Sequence, residues 1–379
     1  MLKKLKKWWD NYGQFSLSWY SKDRSQTQEP ERSLIELPTE TRNRLTEAVR
    51  QLSINPVDRK SVAYALDESF DNWRENPNNT NNSLVVVSSP VTAVARILAE
   101  TVSQWAEERQ LKMNLLPLTN RPYAIEDICS KLENFLQQPP EEPEIIVIPD
   151  LSWCFLRSLE GLEGIEYLQS LLCSGSKNRF WLIGTGQVGW EYLNSVCNLA
   201  TYCGEIFALP EIPPEDLRSW LQPVVEEIDI EFDKPRIDQQ LLDGDKDNET
   251  NYFESLADVA QGVSTISIQA FLGSIKYIKE DENYSEKIIA QTPKLPKLPT
   301  LEASDRYLLY SFLLHGQLTI PALVESLGDS QPEVQGRVQY LRREGLIEQQ
   351  DNILQINPIH YIRIKRELAL NNFVIGKAN

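Results

Sequence analysis

The sequence predicts an α/β chain: a mostly parallel sheet covered on both faces, then a helical segment, then a small separate C-terminal domain. Three observations carry this expectation. Short, continuous β-branched runs read as strands buried on both faces. Three- and four-residue apolar spacings between those runs read as helices. A charged, then Lys- and Pro-rich run at 280–299 separates residues 300–379 as another unit.

The elements follow in order. Residues 21–33 are polar, carry a Pro and read as a linker. Leu45, Val49 and Leu52, then Val62, Leu66, Phe70 and Trp73, predict helix over 39–75, interrupted at Pro56. Asn76–Asn82 is loop. Leu84–Val87 is the first buried strand, and Val91–Arg109 is a long helix. Met113–Leu118 reads as a weak strand and Ile125–Leu136 as a helix ended by the Pro- and Glu-rich run 139–144. Ile145–Ile148, Arg179–Ile183 and Glu205–Leu209 are further strands, with a helix over Gly164–Leu172 between the first two. Strands alternating with helices of this length imply parallel pairing. Pro214–Gln222 reads as a helix, Asp229–Glu249 as an acidic loop and Phe253–Ile278 as helix broken at Gly262.

Composition narrows the function. At roughly 150 residues per domain, 379 residues suggest two or three domains. The 38 Lys+Arg against 55 Asp+Glu give a net charge of -17, which argues against a chain built mainly to bind nucleic acid. Two His and five scattered Cys (Cys129, Cys154, Cys173, Cys197, Cys203) make no zinc site, so no metal is expected. The odd count without a C-x-x-C pair predicts reduced, mostly buried thiols in a cytoplasmic setting. No run of about 18 apolar residues predicts a membrane span.

The N-terminus departs from the acidic average. Residues 1–30 hold six basic residues (Lys3, Lys4, Lys6, Lys7, Lys22, Arg24) against three acidic ones, a local +3. Leu2, Leu5, Trp9 and Tyr12 share one helical face, and Trp8 adds a further aromatic. Aromatics settle at headgroup depth, and each Lys near an anionic leaflet contributes about 1 kcal/mol. Leu2, Lys3, Lys4, Leu5, Lys6, Lys7, Trp8, Trp9 and Tyr12 therefore form a candidate membrane-contacting arm at the cytoplasmic face. An aromatic arm docked on protein is the competing reading.

The order of strand, loop and long helix, then Ile-Ile-Val-Ile-Pro-Asp, then Phe-Trp-Leu-Ile-Gly-Thr, resembles a P-loop NTPase of the AAA+ or STAND kind over roughly residues 35–280. In that family a G-x-x-x-x-G-K-[ST] loop wraps the phosphates, its Lys neutralises them and its hydroxyl holds magnesium. The corresponding run here is Ser88–Ala95. Ser88 and Ala93 take the two glycine positions, Val94 the Lys position and Ala95 the hydroxyl position. Asp150 follows the second clear strand one residue late, after Pro149. Thr185 ends the third, where the family carries a sensor residue. The resemblance thus implies a degenerate site at Ser88, Ala93, Val94, Ala95, Asp150 and Thr185, with no cofactor bound and no enzymatic activity. Trp153–Arg157 and Trp190–Leu193 resemble the family's helices that face neighbouring subunits, and 256–275 its helical lid.

In the last unit, Ser304-Asp305 predicts the cap of a helix ended by Gly316. A second helix spans Leu318–Gly328 and a third Gln331–Glu344. Two short strands around Asp351-Asn352 follow, then a helix from Ile359 to Leu370. Three helices and a β-wing resemble a winged helix over 303–357. Nine acidic against eight basic residues from 300 onward give a local -1, with no basic residue in the wing. This favours a docking module over a DNA reader. Arg363, Lys365 and Arg366 form the compact basic cluster of this unit and are the candidate partner-docking residues.

The expected domains are therefore 1–33 arm and linker, 34–212 P-loop-like domain, 213–285 helical lid, 286–299 linker and 300–379 winged helix. The expected function is a catalytically inactive regulator or scaffold acting through protein contacts, peripheral at a membrane. Its partners would be another protein, a membrane protein or an anionic lipid surface, with self-association and without nucleic acid. Two alternatives stay open: a nucleotide-binding switch with a non-standard site, and a winged-helix DNA-binding regulator.

Overall fold

The computed structural model describes residues 34–35, 37–76, 82–116, 140–173, 178–233, 247–279 and 286–376, with positions 121, 129, 130, 132, 133 and 136 in addition. The candidate membrane arm and most of the expected 125–136 helix lie outside the described residues. In chain order the strands are β1 (Leu34–Ile35), β2 (Ser83–Ser88), β3 (Lys112–Leu115), β4 (Glu144–Ile148), β5 (Arg179–Gly186), β6 (Glu205–Ala208), β7 (Ile230–Phe232), β8 (Ile275–Lys279), β9 (Glu286–Ala290), β10 (Gln317–Leu318), β11 (Ile347–Gln350) and β12 (Ile353–Ile356). The helices are α1 (Thr39–Gln51), α2 (Pro56–Glu75), α3 (Val94–Glu108), α4 (Glu163–Cys173), α5 (Gln187–Cys197), α6 (Pro214–Ile228), α7 (Asn248–Ala260), α8 (Ser264–Ser274), α9 (Ala303–His315), α10 (Ile320–Leu327), α11 (Gln331–Arg343) and α12 (Tyr361–Leu370).

Residue packing divides the chain into two units: 1–57, 211–297 and 358–360 form one, and 58–210, 298–357 and 361–379 the other. The larger unit is built on a five-stranded sheet in the order β3-β4-β5-β2-β6, with every pair parallel. The first strand thus sits inside the sheet, between β5 and β6. That position explains its sequence: every residue of Ser83–Ser88 is buried, so both faces must be apolar or hydrogen-bonded. One side of the core is aromatic. Phe70 of α2 meets Trp105 of α3 at 5.2 Å and Phe180 of β5 at 5.4 Å, both edge to face.

The same unit holds the C-terminal elements. Helices α9, α10 and α11 accompany a small antiparallel sheet in the order β10-β12-β11, with β10 between α9 and α10 in the chain and the other two strands after α11. The caps are strong here. Glu302 and Asp305 form a capping box on α9, the N-cap lying two residues before the expected Ser304. Thr319 caps α10 and Ser330 with Glu333 caps α11.

The smaller unit departs most from the sequence reading. Its sheet runs β1-β8-β9-β7, antiparallel except for β7 with β9. The expected helix to Ile278 stops at Ser274, and Ile275–Lys279 is a strand; Glu286–Ala290, expected within a linker, is its partner. Ile275 and Ile278 satisfy a helical spacing, but cross-strand pairing decides the outcome. Gln261 and Gly262, both with positive φ, separate α7 from α8 at the expected break. Arg218 of α6 grips Glu249 of α7 with two hydrogen bonds, at 3.0 and 2.7 Å.

One buried acid in the small C-terminal sheet has a measurable consequence. Glu348 of β11 is 6% exposed; burial pushes its carboxyl up to about 7, eased by the Gln355 amide at 3.3 Å. A folded-state value above the ordinary 4.5 means this group costs nothing at low pH and destabilises increasingly as pH rises from about 4.5 through 7. The cost is at most roughly 3 kcal/mol. Denaturant melts at pH 5 and pH 8 should show wild type losing more stability across that interval than Glu348→Gln. Equal losses would show that the carboxyl is ordinary.

Candidate functional site

Open parallel sheets bind ligands beyond the carboxyl ends of their strands, where neighbouring connections leave in opposite directions. In this sheet that place is the ends of β2, β5 and β4. Ser88 and Thr185 end adjacent strands, in register with Gly186 and Val87 respectively. The Ser88 hydroxyl donates to the Thr185 carbonyl at 3.3 Å, shared with the Ser89 carbonyl at 3.2 Å. Thr185 Oγ1 donates to the Gly186 carbonyl at 3.4 Å. Asp150 stands beyond β4 and caps the 3-10 turn Leu151–Cys154, its Oδ1 accepting from Ser152 N–H at 2.9 Å. The structure therefore brings Ser88, Thr185 and Asp150 to one edge of the sheet.

The loop between β2 and α3 is closed by its own backbone. Thr92 N–H donates to the Ser89 carbonyl at 2.9 Å and Val94 N–H to the Thr92 carbonyl at 2.8 Å. Helix α3 starts at Val94, three residues later than expected, because these turns occupy the chain before it. Ala93 is its N-cap without a side-chain hydrogen bond. Val94 and Ala95 are 3% and 1% exposed, so their side chains serve the core. The loop as folded spends the Thr92 and Val94 amides internally. It does not fit a phosphate cradle built on a Lys and a hydroxyl at 94 and 95, and a nucleotide bound at this end would be held by other groups.

Charge at this end comes from a residue the sequence reading passed over. Arg121 is half-buried, and its Nη2 donates to the Ser152 carbonyl at 2.5 Å. Burial lowers its guanidinium to about 10, and the nearby Asp150, Cys154 and Glu325 oppose that shift. Burial likewise raises the Asp150 carboxyl, with the Ser152 hydrogen bonds and Arg121 pulling it back. Cys154 and Cys203 are buried thiols pushed up to about 12 by desolvation, unreactive as nucleophiles. None of the five cysteines is in a disulfide; Cys154 and Cys203 are buried, Cys129 and Cys197 half-buried and Cys173 exposed.

The C-terminal elements reach this region. Phe155 follows the 3-10 turn in extended backbone, so the expected helix over Trp153–Arg157 is absent. Its ring meets His315, the last residue of α9, at 4.7 Å. Arg157 N–H donates to His315 Nε2 at 3.3 Å, and Arg157 Nη2 donates to the Ser326 carbonyl of α10 at 3.0 Å. His315 is fully buried, and burial together with the Arg121 and Arg157 charges holds it neutral, well below the ordinary value. At Gly189 of α5 a Cβ would lie 2.6 Å from the Leu314 carbonyl, so α5 and α9 touch backbone to side. Tyr361 of α12 sits beside Ser89; burial pushes its phenol up to about 12.

Of the docking candidates, Arg363 and Arg366 are exposed on α12 and Lys365 is half-buried; the buried face of the helix is Tyr361, Ile364 and Leu368. No group of His, Cys, Asp and Glu suited to a metal occurs among the described residues. No helix among them is long and apolar enough to cross a membrane.

The parallel sheet with its flanking helices is an α/β fold with a P-loop-type sheet. Similar solved structures include the ORC2 protein of Aeropyrum pernix in ADPNP–ADP complexes, 13% identical, covering 83% of this chain and 94% of that one at a TM-score of 0.39. Cdc6p of Pyrobaculum aerophilum is 12% identical over 82% and 94%, with a TM-score of 0.37. A RuvB mutant of Thermotoga maritima is 16% identical over 83% and 99%, with a TM-score of 0.35. At these identities the likeness concerns the fold. No protein-family model matches the sequence, and no curated protein does.

One expectation needs correction. The residues at 88–95 lead the sequence to predict no enzymatic activity. Among the similar structures one was solved in ADPNP–ADP complexes and another is the Walker-type ATPase PABY2304 of Pyrococcus abyssi, and nothing in the comparisons shows that the phosphate-loop residues are absent. The sequence of one loop does not exclude catalysis, so absence of activity does not follow from it.

The site depends on a close approach at Gly184. A Cβ there would lie 2.3 Å from the Pro149 carbonyl oxygen and 2.8 Å from Leu98 Cδ1. Gly184→Ala must push β5 away from the turn that carries Asp150, at a cost of about 1–3 kcal/mol. A lowered melting midpoint is expected by calorimetry; an unchanged one would show that the strand ends separate freely.

Proposed function

We propose that this protein is a regulator or scaffold with an AAA+-type core, acting through protein–protein contacts and using its C-terminal unit as a winged-helix docking module. The observation that supports this most directly is the set of contacts at the carboxyl end of the sheet. Where such sheets receive ligands, this chain places Tyr361, His315 and the α10 backbone of its own C-terminal elements.

The charges of α11 weigh against DNA reading. Arg337, on the helix that would enter a groove, is engaged by Glu302 at 3.3 Å and Asp305 at 3.1 Å. Arg342 and Arg343 remain at the end of that helix beside Glu344. The exposed Arg363 and Arg366 supply the contact for an acidic protein surface, and the basic aromatic arm at residues 1–12 supplies the one for an anionic membrane.

Affinity capture with the tagged full-length chain, from nuclease-treated soluble and membrane fractions, tests the reading. One protein is expected in near-stoichiometric amount, weakened about tenfold or more by the double change Arg363→Glu with Arg366→Glu. Capture that depends on nucleic acid, with binding falling steeply as salt rises, would replace this reading with the DNA-binding one. Removing residues 1–20 is expected to abolish co-sedimentation with anionic vesicles. Sedimentation unchanged by that deletion takes the membrane out of the proposal.

A further inference from the structure

Buried polar side-chain atoms normally find partners, and those that do not mark a site where something else completes them. Among the described residues, four such atoms belong to side chains linked along one seam, between the turn after β4 and helices α9 and α10. They are Arg121 Nε, Arg157 Nε, His315 Nδ1 and Ser326 Oγ; the Ser152 hydroxyl, beside the Asp150 carboxylate, lies on the same seam. The linkage is direct. Arg121 Nη2 bonds the Ser152 carbonyl, Arg157 Nη2 bonds the Ser326 carbonyl, and Arg157 N–H bonds His315 Nε2. Ser152 Oγ lies 3.9 Å from where a Cβ would stand at Gly316, the residue after His315. Ser152, His315 and Ser326 are 5%, 0% and 6% exposed.

The chemistry of these atoms is one-sided. Guanidinium nitrogens only donate. His315 accepts at Nε2, so its proton is on Nδ1, which is therefore also a donor. The two hydroxyls can donate as well. The carbonyls of Ser152 and Ser326 already accept from the arginines. Four donor-capable atoms without an acceptor call for a partner rich in lone pairs. The charge balance agrees: two guanidiniums meet one half-buried carboxylate, Asp150, already engaged by Ser152, while Glu325 of α10 is exposed.

We infer that this seam binds a small oxyanion of the phosphate class, held by Arg121, Arg157, His315, Ser152 and Ser326. The site is separate from the loop at 89–93 and depends on the C-terminal elements being docked, because His315 and Ser326 come from them. Bound anion would tighten that docking. The inference goes beyond the proposed protein-binding role and stands or falls independently of it.

Thermal melting and titration calorimetry of the full-length protein test it, with sodium phosphate, ADP and sodium chloride compared at matched ionic strength. A saturable rise in melting midpoint is expected with phosphate or ADP and not with chloride. Saturation by inorganic phosphate assigns the site to the free ion; saturation by ADP alone assigns it to a nucleotide phosphate. Ser326→Ala, a mild change, and His315→Phe, which keeps a ring against Phe155, should each weaken binding about tenfold, as expected for a hydrogen bond to a charged group. Phosphate and ADP indistinguishable from chloride, or variants that titrate like wild type, would overturn the site.

Discussion

The placement of the first strand inside the parallel sheet constrains the rest of the larger unit. β2 is flanked by β5 on one side and β6 on the other, and every one of its residues is buried. A strand in that position can offer no polar side chain except where the backbone satisfies it. Ser88, at the very end, meets this condition through the Thr185 carbonyl. The chain must then leave the sheet from its middle, and its turn back into α3 fills the space over the strand ends. Ser88, Thr185 and Asp150 are neighbours for this reason, and Gly184 is required because the turn after β4 passes over it at contact distance.

Docking of the C-terminal elements builds on that edge and has a different character. The parallel sheet is held by continuous apolar burial, worth about 25 cal/mol per Å² of area removed from water. The contact made by α9 and α10 includes a neutral histidine, two arginines and a half-buried aspartate. Buried ion pairs contribute little net stability after desolvation, but losing one partner is costly. These polar groups add specificity to the apolar burial of α9, whose residues from Leu308 to His315 are all buried. The geometry of the contact is set by hydrogen bonds from Arg157 and Arg121 to backbone carbonyls, so the arginines act as rigid forks more than as charges.

Much of the larger unit was legible in the sequence because its signals are local. Leu84–Val87, Ile145–Ile148 and Arg179–Ile183 are continuous apolar runs that only a doubly covered strand explains. The helix stops at Gly316 and Gly328 follow from the positive φ those positions adopt. The smaller sheet was not legible. Ile275-Lys-Tyr-Ile-Lys279 matches both periods, and its strand character comes from pairing with residues 286–290, in a segment whose Lys and Pro content reads as linker. The seam residues were also hidden, since Arg121 lies in a stretch without periodicity and His315 has no ligand-spaced partner. A buried histidine at a helix end is recognisable only once Phe155 and Arg157 are known to face it.

The acidic composition gains meaning against this arrangement. A net charge of -17 would oppose the approach of any anion by long-range repulsion, which salt screens within about 10 Å. Positive charge stands against this background in three local concentrations: the +3 of residues 1–30, the exposed Arg363 and Arg366 of α12, and the half-buried Arg121 and Arg157. Charges exposed to solvent act at encounter, where ionic strength weakens them. Arg121 and Arg157 are more sheltered, so an attraction between them and an anion, as the proposed seam requires, would survive at physiological salt.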